Sequence, residues 1–275
     1  MAINYAARYD SKVDEAFSLL SLSDPTINKD YDFTGVDTVK VYSIPTAAMN
    51  NYTLTGSARY GTPAELQNVV QTLLLTKDRS FTFTIDRRSL DDTMGVMAGG
   101  EALARQLREV VIPEIDIYRF GVQAAGAGTT ALSVVITKAN AHEQFLAGMM
   151  ELTNKKVPIM GRIAVVTAKF FSLIKQDPSF IKQSDMSQLI TLNGQLGSVD
   201  GVPLIVVPDS YLPTGVNFMI THPVATTAPV KLADYKIHDN PPGINGMLVE
   251  GRFRYDAFVL NNKKDAIYVS KSTAA

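Results

Sequence analysis

Residues 79–85 read Arg79-Ser80-Phe81-Thr82-Phe83-Thr84-Ile85, a strict alternation of apolar and hydroxyl side chains. Successive side chains of a strand point to opposite faces. Phe81, Phe83 and Ile85 therefore take one face, and Ser80, Thr82 and Thr84 the other. Upstream, Val69-Val70-Gln71-Thr72-Leu73-Leu74-Leu75 also reads as extended, with Thr76-Lys77-Asp78 as the turn candidate between the two runs. Before them, residues 50–63 are polar, contain Gly56 and Gly61, and lack a helical apolar stripe. The pattern predicts a long two-stranded β-excursion over 50–85. Such a hairpin is marginal alone in water and needs a partner surface, within the chain or from another copy.

Immediately downstream, residues 94–122 form the longest helical candidate. Ala102, Leu103, Leu107, Val110, Val111, Ile115 and Tyr118 recur at spacings of three and four on one broad face. Pro113 removes one backbone hydrogen bond and is expected to kink or end that helix. Asp116 and Arg119 read as a surface ion pair of little worth. Asn140, followed three residues later by Glu143, has the layout of a helix start, and Phe145, Leu146, Met149, Met150 and Leu152 supply the apolar face. Ile163-Ala164-Val165-Val166 is a buried-strand run, and Thr167 is placed to cap a helix that stops before Pro178. The Asp200-Gly201 turn introduces a strand at 202–207, and Val216 to Ile220 forms another. Residues 223–243, rich in Pro, Thr and Ala, read as an extended connection. Residues 247–260 and 265–270 read as two strands joined by Asn261-Asn262-Lys263-Lys264. At the other end, residues 1–30 are polar apart from a short amphipathic patch at Val13, Ala16, Phe17, Leu19 and Leu20, and read as an arm. The class is mixed α+β, without an internal repeat.

Composition bounds the function. The 275 residues carry 26 Lys+Arg against 27 Asp+Glu, a net charge of −1, which argues against a main task of gripping phosphates. A compact monomer of this size would expose about 12,000 Å². The 46% hydrophobic content excludes a disordered chain. Without cysteine there is no disulfide framework, thiolate metal site or cysteine nucleophile. The N-terminus lacks the basic end and apolar run of a signal peptide, and no stretch is long and apolar enough to span a bilayer, so a soluble intracellular chain is expected.

The search for chemistry yields no enzyme. A Gly-x-Ser-x-Gly elbow and a phosphate loop are absent, and Gly126-Ala127-Gly128 reads as a turn. His142, His222 and His238 lack metal-ligand spacing, and His142 is expected at the surface or as a cap. Asp91-Asp92 and Glu114 with Asp116 are the tightest acidic pairs, and the first suits a helix start. Arg87-Arg88, with Arg79 and Lys77 nearby, make a basic spot suited to ion pairing at a protein surface. Together with Tyr60 in the excursion, they are the candidate inter-subunit contacts. No catalytic, cofactor or metal residue is assigned.

The order of the segments resembles the major capsid proteins of tailed bacteriophages, the Hong Kong 97-type (HK97-like) fold. The resemblance is carried by Thr82-Phe83-Thr84-Ile85-Asp86 running into the helix, by residues 165–174, by Gly201-Val202-Pro203-Leu204-Ile205-Val206-Val207-Pro208, and by Gly251-Arg252-Phe253-Arg254-Tyr255-Asp256-Ala257-Phe258-Val259-Leu260 with the strand after it. It covers about residues 30–270. It implies an N-terminal arm over 1–30, the start of a peripheral domain over 31–49, and an extended β-loop over 50–85 that overlaps a neighbouring subunit. A spine helix with peripheral domain over 86–139, an axial domain over 140–222 and a return to the peripheral domain over 223–275 complete it.

The implied function is a structural shell subunit, in pentamers and hexamers of an icosahedral head enclosing the phage DNA without reading its sequence. The implied partners are a separate scaffolding protein, since the arm is short, a portal and decoration proteins. The location is the virion, after assembly in the host bacterial cytoplasm. Some members weld subunits through Lys–Asn isopeptide bonds; Lys77, Asn261 and Asn262 are of the right types, but no motif assigns them. The other readings are an encapsulin-like compartment and a soluble α+β hydrolase or ligand-binding protein.

Overall fold

The computed structural model describes residues 21–31, 38–63, 65, 68–88, 99–132, 135–177 and 198–272. The amphipathic patch at 13–20, Asp91-Asp92 and the first residues of the predicted long helix lie outside them. Strands β1 (Thr38–Ser43), β2 (Val69–Leu74) and β3 (Lys77–Asp86) come first. Helices α1 (Gly99–Gln106) and α2 (Ile112–Ala125) are joined by a π-turn at Leu107–Val111. Next come β4 (Thr129–Ala131), α3 (Ala141–Asn154), β5 (Ile163–Thr167) and α4 (Ala168–Lys175). The chain closes with β6 (Ser198–Val199), β7 (Val202–Val207), β8 (Val216–Thr221), β9 (Thr226–Thr227), β10 (Val230–Asp239), β11 (Gly246–Tyr255), β12 (Phe258–Val259) and β13 (Ile267–Lys271).

Two sheets organise the protein. A six-stranded sheet runs β4-β13-β8-β5-β7-β6, with β5 parallel to β7 and antiparallel to β8. Ala164, Val165 and Val166 of β5 are wholly buried, as the unbroken apolar run predicts for a central strand. Phe218 of β8 packs against Phe145 of α3 and Phe170 of α4, with ring centroids 5.7 and 4.6 Å away. Local signals were obeyed here. Thr167 Oγ1 accepts from the Phe170 amide at 3.2 Å and caps α4. Asp200 and Gly201 take φ of 51° and 75° between β6 and β7, the left-handed pair that a two-residue hairpin requires.

The second sheet is antiparallel, in the order β10-β11-β3, and its inner face rests on α1 and α2. Leu103, Leu107, Val111 and Ile115 face Tyr235, Val249, Phe253 and Tyr255. An i+4 repeat overshoots a 3.6-residue turn, and the wider π-turn takes up the excess and keeps this row in line. The same turn accommodates Pro113. The Ile112 amide reaches back to Leu107 O, and the helix runs on to Ala125 instead of ending. Val110, expected on the inner face, is 46% exposed. Gly251 lies opposite Phe81, and a Cβ there would meet the Phe81 ring at 2.5 Å; the missing side chain lets that ring lie over the strand.

Several expectations from the sequence are corrected. The runs 69–75 and 79–85 do not pair as a hairpin. β2 pairs with β1, Val39 facing Leu73, whereas β3 pairs with β11, Lys77 facing Tyr255. Pairing with β11 half-buries Phe81 and Phe83 in the cluster with α1 and α2 and buries Ile85, a gain that a local hairpin could not offer. Residues 223–243 are not merely a connection, since they contain the ten-residue strand β10. The final strand β13 does not turn back onto β11 but lies between β4 and β8 of the larger sheet. His142 is buried, and its amide donates to Asp177 Oδ2. Asn140 stands at the helix start as expected, yet its side chain accepts from the Thr137 amide and donates to Val135 O rather than capping α3.

Asp116 and Arg119 are 1% and 2% exposed, not a surface pair. Each grips the segment 21–24. Asp116 accepts from the Ser21 and Ser23 hydroxyls and from the Leu22 and Ser23 amides. Arg119 Nη1 donates to Asp24 Oδ1 at 2.8 Å. The segment from Ser21 onward is thus part of the folded body, not of a loose arm.

Candidate functional site

The β1–β2 ribbon is fastened at its root. Val39, Val41 and Leu73 turn one face against Leu75, Leu260 and Phe258. Gln71 bridges to the body with both ends of its amide, Nε2 donating to Val259 O and Oε1 accepting from the Asn261 amide, each at 2.9 Å. Past this root the chain runs on through a largely exposed stretch, the projection over residues 44–63. Its tip is ordered by its own contacts. The Thr53 amide bonds Arg59 O, the Gly61 amide bonds Ala58 O, and Tyr52 and Tyr60 meet edge-to-face at 5.0 Å.

Among its exposed polar residues the projection also shows large apolar side chains to solvent. Ile44 is 75% exposed, Met49 99%, Leu54 82% and Tyr60 84%. On the ribbon itself Tyr42 lies opposite Val70, both exposed, and Leu74 continues that face. Side chains of this kind are normally scattered singly on a monomer; clustered on one projection they mark an interaction surface.

The basic candidates are not gathered at this projection. Lys77 Nζ sits 4.9 Å from the centre of the Tyr118 ring, and Arg79 Nε donates to Glu114 Oε1 at 2.7 Å, so both are engaged within the subunit. Arg87 and Arg88 lie past the other end of β3, about 27 Å from Arg79 by strand rise. Their amides bond Asn245 O and Asp86 Oδ1. Of the five candidates only Tyr60 lies on the projection. The sequence reading did not single out Tyr42, Ile44, Met49 and Leu54: the alternation of Val39 to Ile44 reads as a strand ended by Pro45 without saying which face is covered, and Met49 and Leu54 follow neither a helical nor a strand period. The signal of these last two was negative: large apolar residues in a stretch with no regular pattern to bury them.

Behind the ribbon's root a carboxylate ties three elements together. Asp256, 3% exposed, accepts from the Thr76 amide and hydroxyl through Oδ2 at 2.7 and 2.9 Å. Its Oδ1 accepts from Tyr118 OH at 2.6 Å and from the Ala257 amide at 2.8 Å. Burial, with the Asp256 hydrogen bond second, raises the Tyr118 phenol well above its ordinary range. Burial and the neighbouring Glu114 push Tyr255 up to about 12. Arg162 is buried among oxygens of α3 and its loop, Met149 O, Thr153 Oγ1, Val157 O and Pro158 O, and burial lowers its pKa. Each of these polar groups ties neighbouring elements of its own subunit together. Among the described residues no group of three or more His, Asp or Glu is placed to hold a metal ion, and no helix is long and apolar enough to cross a membrane. Glu114 and Asp116, paired in the sequence reading, are divided between Arg79 and the 21–23 segment.

Comparison with known proteins meets this geometry. No curated protein sequence matches the chain. Among solved structures, one described as Mycobacterium phage Che8 superposes with a TM-score of 0.70 at 16% identity, covering 93% of this chain and 92% of its own. The capsid structure of the cyanophage P-SCSP1u gives 0.63 at 10% identity, over 88% and 85%. A virus-like particle from Pyrococcus furiosus gives 0.59 at 11% identity, over 98% and 100%. These likenesses establish the Hong Kong 97-type fold, with α1 and α2 as its long helix. The family model described as phage capsid protein matches residues 69–270, most of the chain, and the protein therefore belongs to the phage capsid protein family.

Proposed function

We propose that the chain is the major capsid subunit of a tailed bacteriophage and that the 44–63 projection is its principal inter-subunit contact. The role is structural rather than catalytic. Many copies would close into an icosahedral head of five- and six-subunit rings around the DNA genome, through heterologous contacts whose curvature imposes closure. The observation that carries this is the set of exposed apolar side chains on a projection whose root is fastened to the body. A near-neutral net charge suits the packing of many copies.

In this reading the ribbon and projection, 38–74, are the extended loop, displaced toward the N-terminus from the 50–85 expected from sequence. The β3-β10-β11 sheet with α1 and α2 is the peripheral domain, and the β5-β7-β8 region with α3 and α4 the axial domain. Arg87 and Arg88 remain candidates for contact with a neighbour. A separate scaffolding protein, a portal and decoration proteins are the expected partners, with assembly in the host bacterial cytoplasm. The likeness to the Pyrococcus particle is one of fold, and the family match favours the phage reading over a cargo compartment.

The test replaces residues 51–60 with a short Gly-Ser linker and coexpresses the subunit with the neighbouring gene products. Closed shells by electron microscopy are expected from the natural sequence. The replaced chain is expected to give folded subunits without shells. Shells of unchanged yield and stability from the variant would refute the assignment of the projection.

A further inference from the structure

Residues 21–28 join two parts of the fold. On one side lie Asp116, Arg119 and Gln123, a polar row at i, i+3 and i+7 of α2. On the other lies the stretch 223–228, which carries the chain from β8 of the larger sheet toward β10 of the smaller one. Gln123 Nε2 donates to Thr26 O and Oγ1 at 3.2 and 3.0 Å. The Asn28 amide donates to Thr226 O at 2.8 Å, and Asn28 Nδ2 reaches Pro223 O and Val224 O. With the bonds of Asp116 and Arg119, the segment is held mainly by hydrogen bonds. Its apolar contribution is Ile27, clustered with Ala228, Ala257, Tyr118 and Val122, together with Leu22, half-buried against the main core.

The dock is also imperfect. Arg119 Nε, Gln123 Oε1 and Thr226 Oγ1 are buried there without a hydrogen-bond partner among the described residues. Orphaned polar atoms raise the free energy of the docked state. The larger sheet carries two such atoms, Thr221 Oγ1 and Ser270 Oγ, toward its β13 side, whereas its centre at Ala164, Val165 and Val166 is purely apolar and wholly buried. The same segment therefore combines many specific bonds with a weak net hold.

We propose that residues 21–28 are a clasp, which opens as a unit while both sheets stay folded and which unlinks α2 from the 223–228 crossover when it does. Docked, it pins the junction between the sheets; open, it exposes the Asp116–Arg119–Gln123 row as a vacant seat for that segment. This inference stands apart from the shell reading, since it concerns the isolated subunit.

Hydrogen exchange on the full-length subunit tests it. The amides of Leu22, Ser23, Thr26 and Asn28 are expected to exchange together, roughly 100-fold or more faster than those of Val165 and Phe218, yet slower than free chain. Ser23→Ala removes a hydroxyl that donates to Asp116 Oδ1 at 2.6 Å and accepts from Arg119 Nη1 at 3.0 Å. It should speed clasp exchange by about tenfold and leave the sheet amides unchanged. Asp116→Asn should act in the same direction from the helix side, and Ser23→Ala keeps the test open if that variant fails to fold. Three results would overturn the clasp: natural-sequence clasp amides as slow as the sheet, clasp amides as fast as free chain, or a Ser23→Ala effect that is absent or shared equally by the sheet.

Discussion

β5 and the 44–63 projection both carry apolar side chains, and these meet opposite fates. Ala164, Val165 and Val166 are 0% exposed, whereas Ile44, Met49, Leu54 and Tyr60 stand at 75% exposure or more. β5 has β7 and β8 on its edges and α3 and α4 over the sheet, while among the described residues the projection has the two strands of its root. Apolar character becomes a core only where the same chain supplies covering elements. Where it does not, the residues are left for another copy.

The largest effect is expected where the covering is complete. Phe218→Ala opens a space between Phe145, Phe170 and Tyr268 and should cost about 3–5 kcal/mol in urea unfolding. A loss below about 1 kcal/mol would mean that this region is not the closed core the contrast requires. Next comes the seam between the two regions. Asp256→Asn leaves one carbonyl oxygen where four donors converge from Thr76, Tyr118 and Ala257. We expect a loss of about 2–3 kcal/mol and looser protection of the β1–β2 ribbon in hydrogen exchange.

How much of this was legible in the sequence follows from the range of each interaction. The Thr167 cap and the Asp200-Gly201 turn act over two to three residues, and both were read correctly. The long helix was read from its periodicity, although the π-turn that carries it past Pro113 was not. Pairing of β3 was misread because its partner lies about 170 residues away and a local hairpin satisfied the same alternation. Asp116 and Arg119 looked like a surface pair for the same reason, since the Ser21–Asp24 segment that buries them is 93 to 95 residues upstream. The exposed side chains of the projection are the hardest to foresee, because what determines them is the absence of a covering element.

A smaller effect arises at high pH, again on the folded side of the contrast. Burial favours the neutral phenol of Tyr255, pushing its pKa to about 12, and raises Tyr118 as well, with Asp256 reinforcing the second. Between the ordinary tyrosine value of about 10 and the folded value, the folded state holds more protons than the unfolded one. Their contribution to stability is therefore fully present below pH ~10 and is lost as pH rises through about 12. Chemical unfolding from pH 9 upward should show this decline, and Tyr255→Phe should flatten part of it. An unchanged slope in that variant would place the titration elsewhere.

The smallest effect on the subunit is expected where the contrast is sharpest. Ile44→Ser, Met49→Ser and Leu54→Ser together remove three large apolar side chains that the subunit leaves bare. Since none is buried on folding, no transfer free energy is forfeited, and subunit stability should stay within about 0.5 kcal/mol of the natural sequence. Burial on assembly is a separate matter, because each of these side chains would contribute about 1.5–3 kcal/mol if a neighbour covered it fully, and a shell repeats the contact at every subunit. Sedimentation of the coexpressed variant should show folded subunits and no closed particles. A large fall in unfolding stability would mean that the projection is covered by its own chain. Normal stability with a normal yield of shells would mean that its apolar side chains are not the surface on which the subunits meet.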